Sequence, residues 1–196
     1  MAYVIKEKKP LVHLPYLPKD GTLKDGTVVV LDRYCNEYEA NFHDIIKSII
    51  NEGDRFSPED MTDVEDFRSY YLSNDAFICT NKTTRELLGG FYVKPKFAGR
   101  CSHICSAGFA VKESARSNGV GSFLAQNYVY IARDLGYKAS YFNVVFETNE
   151  ASVRLWRKLG FKEIGRIPKA GNLKGLGYTD ALQFYYDFET LPKTPS

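Results

Sequence analysis

The order of apolar and polar positions along the chain predicts alternating strands and helices. The β-branched run from Thr27 to Arg33 is typical of a strand. A helix is expected over residues 36–51, because five apolar residues recur there at helical spacing: Phe42, Ile45, Ile46, Ile49 and Ile50. Gly53 ends this helix, and a second one is predicted over 57–73, with Ser57 as its N-cap.

The second half of the chain continues the alternation. The segments AFICTNK and LLGGFYVKP predict a hairpin of two strands, and a further strand is expected over 103–111. The helix that follows carries its apolar stripe on Val120, Leu124, Tyr128, Ile131 and Leu135, and Gly136 is its expected left-handed end. SYFNVVFE then predicts a strand, and NEASVRLWRKLGF predicts a helix that Asn149 caps and Gly160 ends. FKEIGRIP and DALQFYYDF predict the last two strands.

This pattern predicts an α/β (α+β) fold with one mixed sheet, since helices lie between strands in the middle of the chain and strands pair locally on both sides. A chain of 196 residues suits a single well-buried core. We therefore predict a proline-rich extended arm over 1–26, one domain over 27–188 and a polar tail over 189–196.

Composition and charge exclude several classes of function. A net charge of +2 gives no basic footprint for nucleic acid. The N-terminus has no apolar stretch of signal-peptide length, and the longest aliphatic run, Val28 to Leu31, is too short to span a membrane. We expect a soluble intracellular protein of the cytoplasm, with the nucleus and the mitochondrion as alternatives, and without a membrane partner.

The cysteine pattern predicts neither a disulfide framework nor a metal site. Four cysteines in an intracellular chain of this length are expected to stay reduced. In CSHIC, Cys101, His103 and Cys105 would alternate onto one face of a strand, but zinc needs a fourth ligand and usually a paired knuckle. We predict an ordinary strand at this position and no bound metal.

The turn SARSNGVGSFL, residues 114–124, is the strongest candidate binding motif. A strand, a glycine turn and a helix N-terminus place several backbone N–H groups around one concavity, where the helix dipole favours an anion. Gly119 and Gly121 let a phosphate approach closely, and Arg116 can add a charged hydrogen bond. The P-loop and Rossmann patterns do not fit. The turn predicts a phosphate site, with a plain helix entry as the alternative.

Two motifs together resemble a known family. RSNGVG and, downstream, NEASVRLWRKLGF are similar to the signatures of the GCN5-related N-acetyltransferases (GNAT), over roughly Thr27 to Phe188. GGFYVKPKFAGRCSHICSAGF, LGYKASYFNVVFETNEAS and GRIPKAGNLKG further resemble the fungal acetyltransferases that inactivate azetidine-2-carboxylate, a toxic proline analogue. The resemblance implies a sheet of about six to seven strands, splayed in the middle and flanked by about four helices. It also implies acetyl-CoA as cosubstrate and acetylation of a small imino acid.

The resemblance also implies roles for individual residues. The backbone of Phe109 and Val111 is expected to contact the pantetheine arm, with Gly108 permitting a local distortion. The pyrophosphate is expected against the turn, at Arg116, Ser117, Asn118, Gly119, Val120, Gly121 and Ser122. Asn149 matches an asparagine that binds pantetheine, although it also suits a plain N-cap. The candidate catalytic and substrate residues are Asn143, Ser106 and Asn149.

The chain departs from the family pattern at two of these positions. Trp156 stands where many relatives place a tyrosine general acid, and we expect it to pack in the core. Ser106 replaces a second asparagine of the fungal enzymes, which affects the exact substrate. A strand histidine is more often structural, so a water relay is a better proton path than His103. Asn143 is an amide in a buried strand, and its polar group needs a partner in the protein or the ligand.

Three alternatives stay open on the sequence alone. The first is a polyamine acetyltransferase and the second a protein N-terminal acetyltransferase, but cationic substrates favour acidic residues at the pocket, and the chain has no acidic cluster beyond DVED at 63–66. The third is a module that binds CoA without catalysis, which Trp156 keeps open. A homodimer is one option for the assembly.

Overall fold

A computed structural model describes residues 12–55 and 63–191. The predicted N-cap at Ser57 and most of the predicted tail lie outside the described residues. Within them, four α-helices and eight strands follow one another in this order: β1 Lys19–Thr22, β2 Val28–Arg33, α1 Glu39–Glu52, α2 Val64–Tyr71, β3 Asp75–Asn81, β4 Leu87–Pro95, β5 Ile104–Val111, α3 Val120–Asp134, β6 Ala139–Phe146, α4 Glu150–Lys158, β7 Lys162–Leu173 and β8 Gly177–Asp187.

The strands form one mixed sheet in the order β1-β2-β3-β4-β5-β6-β8-β7. Neighbouring strands are antiparallel except for β5 and β6, which are parallel. The predicted fold class is confirmed, and the sheet has one strand more than the upper end of the predicted range. The extra strand is β1, which pairs with β2 from Lys19 opposite Leu31 to Thr22 opposite Val28. This revises the predicted boundary at residue 27, since the sheet already begins within the predicted arm.

Side chains that alternate along the central strands build a core on each face of the sheet. Phe91 and Val93 of β4 point to the face covered by α3 and α4, where the fully buried Leu124 also lies. Tyr92 points to the opposite face, among apolar side chains of α1 and α2. A period of two along each strand and an apolar stripe on each helix account for both cores.

The local predictions for helix ends are largely confirmed. The apolar stripe of α1 is buried, and a short 3-10 turn at Asn36–Tyr38 precedes the helix. Gly136 follows α3 with φ +92°, as expected for a left-handed helix stop. The predicted second helix starts later, at Val64, with the Asp63 side chain accepting from the Glu65 backbone N–H.

The prediction of one strand face for the CSHIC segment is wrong. Gly99–Cys101 forms a 3-10 turn, and β5 begins only at Ile104. Cys101 and Cys105 are therefore not on one strand, and the first is exposed while the second is buried. His103 is also exposed, and its Nδ1 lies 3.1 Å from the Arg100 carbonyl oxygen.

The parallel pair β5 and β6 separates soon after it forms. Its pairing is limited to Ile104 with Ala139 and Cys105 with Ser140. At this vertex the buried Tyr128 hydroxyl lies 2.7 Å from Ser140 Oγ and 3.3 Å from Cys105 Sγ. Tyr128 of α3 thus contacts both β5 and β6 at the vertex, and the two strands diverge beyond it.

Candidate functional site

The diverging strands enclose a cavity of about 670 Å³. Its walls include Ser106, Phe109 and Val111 of β5 and Asn143 of β6. Beyond the vertex none of the eight described strands pairs with β5 on this side, so its edge from Ser106 to Val111 can hydrogen bond to an extended ligand. The cavity therefore suits a long, narrow molecule that lies beside β5.

The glycine turn lies at the open end of this cavity, directly after β5. Gly119 is the N-cap of α3 with φ +103°, which a side chain would strain. A Cβ at Gly121 would have Val111 Cγ2 as its nearest neighbour, 3.9 Å away, so the space above the turn is open. Backbone N–H groups at a helix N-terminus with open space above them form an anion site.

The residues of the turn face in different directions. The cavity walls include Arg116, Ser117, Gly119, Gly121 and Ser122. The other two predicted residues lie elsewhere. Val120 is 1% exposed and belongs to the core. The backbone oxygen of Asn118 accepts from the Lys24 N–H, and its side-chain oxygen accepts from the Asp25 N–H. Asn118 thus anchors the turn to the β1–β2 hairpin.

Arg116 is neutralised by a partner that the sequence did not indicate. Its two terminal nitrogens donate to the Glu52 carboxylate at 2.9 and 2.6 Å, and its Nε donates to the Val111 carbonyl at 3.3 Å. Both side chains of this ion pair are about 23% exposed, so the pair is well shielded. The geometry assigns Arg116 mainly to holding the turn against β5 and α1.

Two further cations line the same end of the cavity, Lys24 and Arg55. The Lys24 ammonium donates to the Ser117 carbonyl at 3.0 Å. Arg55 binds the neighbouring Asp54, with its Nε at 2.9 Å from the carboxylate oxygen. Sequence reasoning missed Lys24, because it lies in the predicted arm, more than 90 residues from the turn along the chain.

The other end of the cavity, near the vertex, carries polar side chains from β5, from β6 and from the residue that follows β4. Asn143 and Val144 lie in a bulge of β6, since Phe142 pairs with Phe184 and Val145 with Leu182, which leaves two residues opposite one. Bulges redirect side chains. Here the Asn143 oxygen accepts from the Lys96 ammonium at 2.5 Å, and Ser106 also lines this end.

A second lysine, Lys94, packs against two tyrosine rings that line the cavity. Tyr70 and Tyr92 line the cavity, with their hydroxyl oxygens 3.4 Å apart. The Lys94 ammonium lies 3.8 Å from the Tyr70 ring centroid and 4.4 Å from that of Tyr92. Burial, followed by the charge of Lys96, lowers the pKa of Lys94 to about 8, and burial also lowers the pKa of Lys96. The segment VKPK at the end of β4 was the available sequence signal for this cluster.

Gly108 makes room for this cluster. A Cβ at this position would lie 2.5 Å from the Tyr92 ring, so a side chain there would displace the tyrosine. The fully buried Tyr71 donates its hydroxyl to the Gly108 carbonyl at 2.6 Å. β5 pairs with β4 in unbroken register across Gly108, so the glycine admits the neighbouring ring and the expected distortion of the strand is not seen at this position.

Asn149 and Trp156 occupy the α4 side of the cavity. The Asn149 side chain accepts from the Ser152 N–H at 3.2 Å, which confirms its capping role, and it also lines the cavity. Trp156 is 5% exposed, with its ring centroid 4.6 Å from Phe142 and 5.1 Å from Phe109. The core position predicted for Trp156 is confirmed, and its indole forms part of the cavity wall.

The described wall of the cavity contains four cationic side chains and no carboxylate. His103 is not among its residues. Within 12–55 and 63–191 no cluster of three or more histidine, cysteine, aspartate or glutamate side chains is arranged for a metal. In the same part of the chain no helix is long and apolar enough to cross a membrane. Because Arg116 and Arg55 are paired with carboxylates, the charge that the described cavity wall offers to an anionic ligand is that of Lys24 and Lys96.

Comparison with known proteins identifies the class to which this geometry belongs. The model of the acetyltransferase (GNAT) family matches residues 39–161, well over half of the chain. The chain therefore belongs to the GNAT family, and the resemblance noted from its motifs is confirmed. Members of this family use acetyl-CoA.

Individual relatives agree with this assignment. N-acetyltransferase aca1 of Schizosaccharomyces pombe is 53% identical over 106 residues, which are 54% of this chain and 51% of that protein. The chain thus matches about half the length of this relative. A GCN5-related N-acetyltransferase from Kribbella flavida has a TM-score of 0.77 and 26% identity, covering 81% of this chain and 97% of that one. A phosphinothricin acetyltransferase from Sinorhizobium meliloti, solved with acetyl-CoA, shares the fold at a TM-score of 0.72 and 16% identity, covering 81% and 88% of the two chains.

The residues present fit acetyl-CoA. The free edge of β5 suits an amide-containing arm, and the turn at Gly119 and Gly121 offers N–H groups in open space. Lys24 adds positive charge at the same end, whereas Arg55 is paired with Asp54. These features meet in one cavity, at the positions that an elongated polyanion requires.

Proposed function

We propose that the protein transfers an acetyl group from acetyl-CoA to the ring nitrogen of a small proline-like imino acid, such as azetidine-2-carboxylate. Acetylation of a toxic proline analogue would make it a detoxifying enzyme. The observation that carries this proposal is the described wall of the acceptor end, which offers Lys96, Asn143 and Ser106 but no carboxylate. An acceptor with its own negative charge suits such a site.

Residues at one end of the cavity bind the cofactor, and residues at the other end bind the acceptor. Acetyl-CoA supplies an activated acyl thioester when bound. The turn at Gly119 and the Lys24 ammonium bind the phosphates, and the β5 edge at Phe109 and Val111 orients the arm that leads to the thioester. Asn149, which keeps its side-chain N–H₂ group available while its oxygen caps α4, donates toward the same arm.

The acceptor end favours the reactive form of the amine. The nucleophile must be neutral, and a nearby positive charge lowers the pKa of an ammonium group because two like charges repel. Lys96 exerts this effect at the acceptor end, where its ammonium is half-buried. The released proton leaves through water, since the exposed His103 lies outside the cavity wall.

No tyrosine of α4 protonates the leaving thiolate, because Trp156 stands where many relatives place the tyrosine general acid. A thiol with a pKa near 8.5 leaves tolerably as the anion, so turnover does not require a general acid. A positioned acid contributes roughly 10²- to 10⁴-fold in rate. We therefore propose a slow enzyme and not an inactive module.

Thiol release from acetyl-CoA tests the proposal. The acceptors are azetidine-2-carboxylate, proline, 4-hydroxyproline, spermidine and a short peptide, with the acceptor omitted as the blank. We expect turnover on the cyclic imino acids and little above the blank on spermidine and the peptide. Preference for spermidine would replace the proposed substrate with a polyamine. Saturable CoA binding without turnover on any amine would favour a non-catalytic module.

A further inference from the structure

Two lysine ammonium groups near the acceptor end lack a negative partner. Lys94 and Lys96 are both half-buried, and no carboxylate within 12–55 and 63–191 lies at ion-pair distance from either. By contrast, the exposed Lys82 and Lys112 pair with Asp20 and Glu86. Lys94 and Lys96 are thus two half-buried lysines without a counter-charge among the described residues.

Burial of a charge without a partner costs free energy, so this arrangement needs a compensating gain. Lys94 is partly stabilised by the Tyr70 and Tyr92 rings and by the Tyr70 carbonyl, to which it donates at 2.9 Å. Among the described residues, the side-chain hydrogen-bond partner of the Lys96 ammonium is the neutral amide oxygen of Asn143. The remaining donors of Lys96 can bind a ligand that enters the cavity.

The contact between Lys96 and Asn143 also fixes the direction of the amide. An ammonium group only donates, so the atom of Asn143 that faces it must be the oxygen. The N–H₂ group of Asn143 therefore points away from Lys96 and remains available as a second donor. The backbone supports this position, because the Lys96 N–H donates to the Ile104 carbonyl at 2.8 Å.

We propose that Lys96 and Asn143 form a subsite for the carboxylate of the acceptor, with Lys94 adding positive charge behind it. This inference rests on the proposed function, since it assigns one charged group of the acceptor to named residues. A carboxylate accepts several charge-assisted hydrogen bonds, which an ammonium and an amide N–H₂ can supply together. The ligand class is an α-imino or α-amino acid, and the matching carboxamide should bind poorly.

The test compares an acceptor with its uncharged counterpart. Thiol release is measured with azetidine-2-carboxylate and azetidine-2-carboxamide, using wild type, Lys96→Met, Lys96→Arg and the surface control Lys162→Met. Lys162 is exposed at the start of β7 and outside the cavity wall. The Kd for CoA is measured for each variant, so that loss of the fold or of the cofactor site is detected separately.

We expect wild type to prefer the carboxylate at least tenfold in kcat/KM. Lys96→Met should lower kcat/KM for the carboxylate about 10- to 100-fold beyond any loss on the carboxamide, because the lost effect of Lys96 on the pKa of the amine is common to both acceptors. Lys96→Arg should recover part of the preference, and Lys162→Met should match wild type. Equal losses on both acceptors would overturn the subsite, since Lys96 would then act only by positioning Asn143. An unchanged preference would overturn it as well.

Failure of the proposed function gives a different result. If no variant acetylates any amine, catalysis is refuted, and the subsite is then tested by calorimetric titration of azetidine-2-carboxylate into the CoA complex. Binding by wild type that Lys96→Met weakens at least tenfold would support the subsite without catalysis. Equal binding by both proteins, or no binding, would overturn the subsite too.

Discussion

Replacement of Gly119 by aspartate should weaken CoA binding by about two orders of magnitude. The position has φ +103°, and a Cβ there would lie 3.6 Å from Lys24 Cγ, which is ordinary contact. The steric cost is therefore small, and the conformational cost of a side chain in this region is about 1–2 kcal/mol. The larger effect is electrostatic, because the new carboxylate stands at the anion site.

The magnitude follows from Coulomb's law. Two unit charges about 4 Å apart near a protein surface interact by about 4 kcal/mol, and each 1.4 kcal/mol is a factor of ten. With partial screening by salt, we expect Gly119→Asp to raise the Kd for CoA about 100-fold. Gly119→Asn has nearly the same size and strain without the charge, so its Kd should rise less than tenfold.

A second glycine separates strain from charge. Gly136 has φ +92° and nothing within 4 Å of a built Cβ, and it lies outside the cavity wall. Gly136→Asp should therefore lose stability as Gly119→Asn does but bind CoA like wild type. The assay is calorimetric titration of CoA at low and high salt, with the difference between aspartate and asparagine shrinking at high salt. Equal affinity of Gly119→Asp and Gly119→Asn at low salt would refute the phosphate assignment of the turn.

Three further variants address other parts of the structure. Lys24→Met should raise the Kd for CoA about tenfold, whereas Lys82→Met, in the turn between β3 and β4, should not; equal values would remove Lys24 from the phosphate site. Tyr128→Phe should lower the free energy of unfolding by roughly 1–3 kcal/mol in urea titration, because it removes the hydrogen bond to the buried Ser140 hydroxyl at the vertex, with Tyr130→Phe as the neutral control. Lys94→Met should raise Tm at pH 7, and this gain should shrink between pH 8 and 10. Over that interval the wild-type side chain, whose pKa burial lowers to about 8, is already neutral in the folded protein but still charged in the unfolded one, so wild-type stability rises with pH. A gain independent of pH would contradict this reason.

Features set by local periodicity could be predicted from the sequence. The stripe of α1 from Phe42 to Ile50 and that of α3 from Val120 to Leu135 both follow helical spacing and are buried. The β3–β4 hairpin follows from two apolar runs and one polar turn. The glycine turn was predictable for a related reason, since Gly119 and Gly121 lie next to a strand and a helix start. In each case the determining residues are neighbours in sequence.

Features set by distant partners could not be predicted in the same way. Arg116 and Glu52 are 64 residues apart, and nothing in either segment indicates that the arginine is already paired. Lys96 and Asn143 are 47 residues apart, and their contact depends on a bulge in β6. Lys24 reaches the turn only because β1 joins the sheet. Composition favours loop for the segment KDGT of β1, and pairing with β2 overrides that preference.

Mass-spectrometric identification of the product from one mixture tests the central claim most directly. The protein is incubated with acetyl-CoA and equal concentrations of azetidine-2-carboxylate, azetidine-2-carboxamide, spermidine and a short peptide. A cavity whose described wall carries cations and no carboxylate predicts N-acetyl azetidine-2-carboxylate as the main product. Acetylated spermidine or peptide as the main product would contradict the charge argument, and the absence of any acetylated product would contradict catalysis itself.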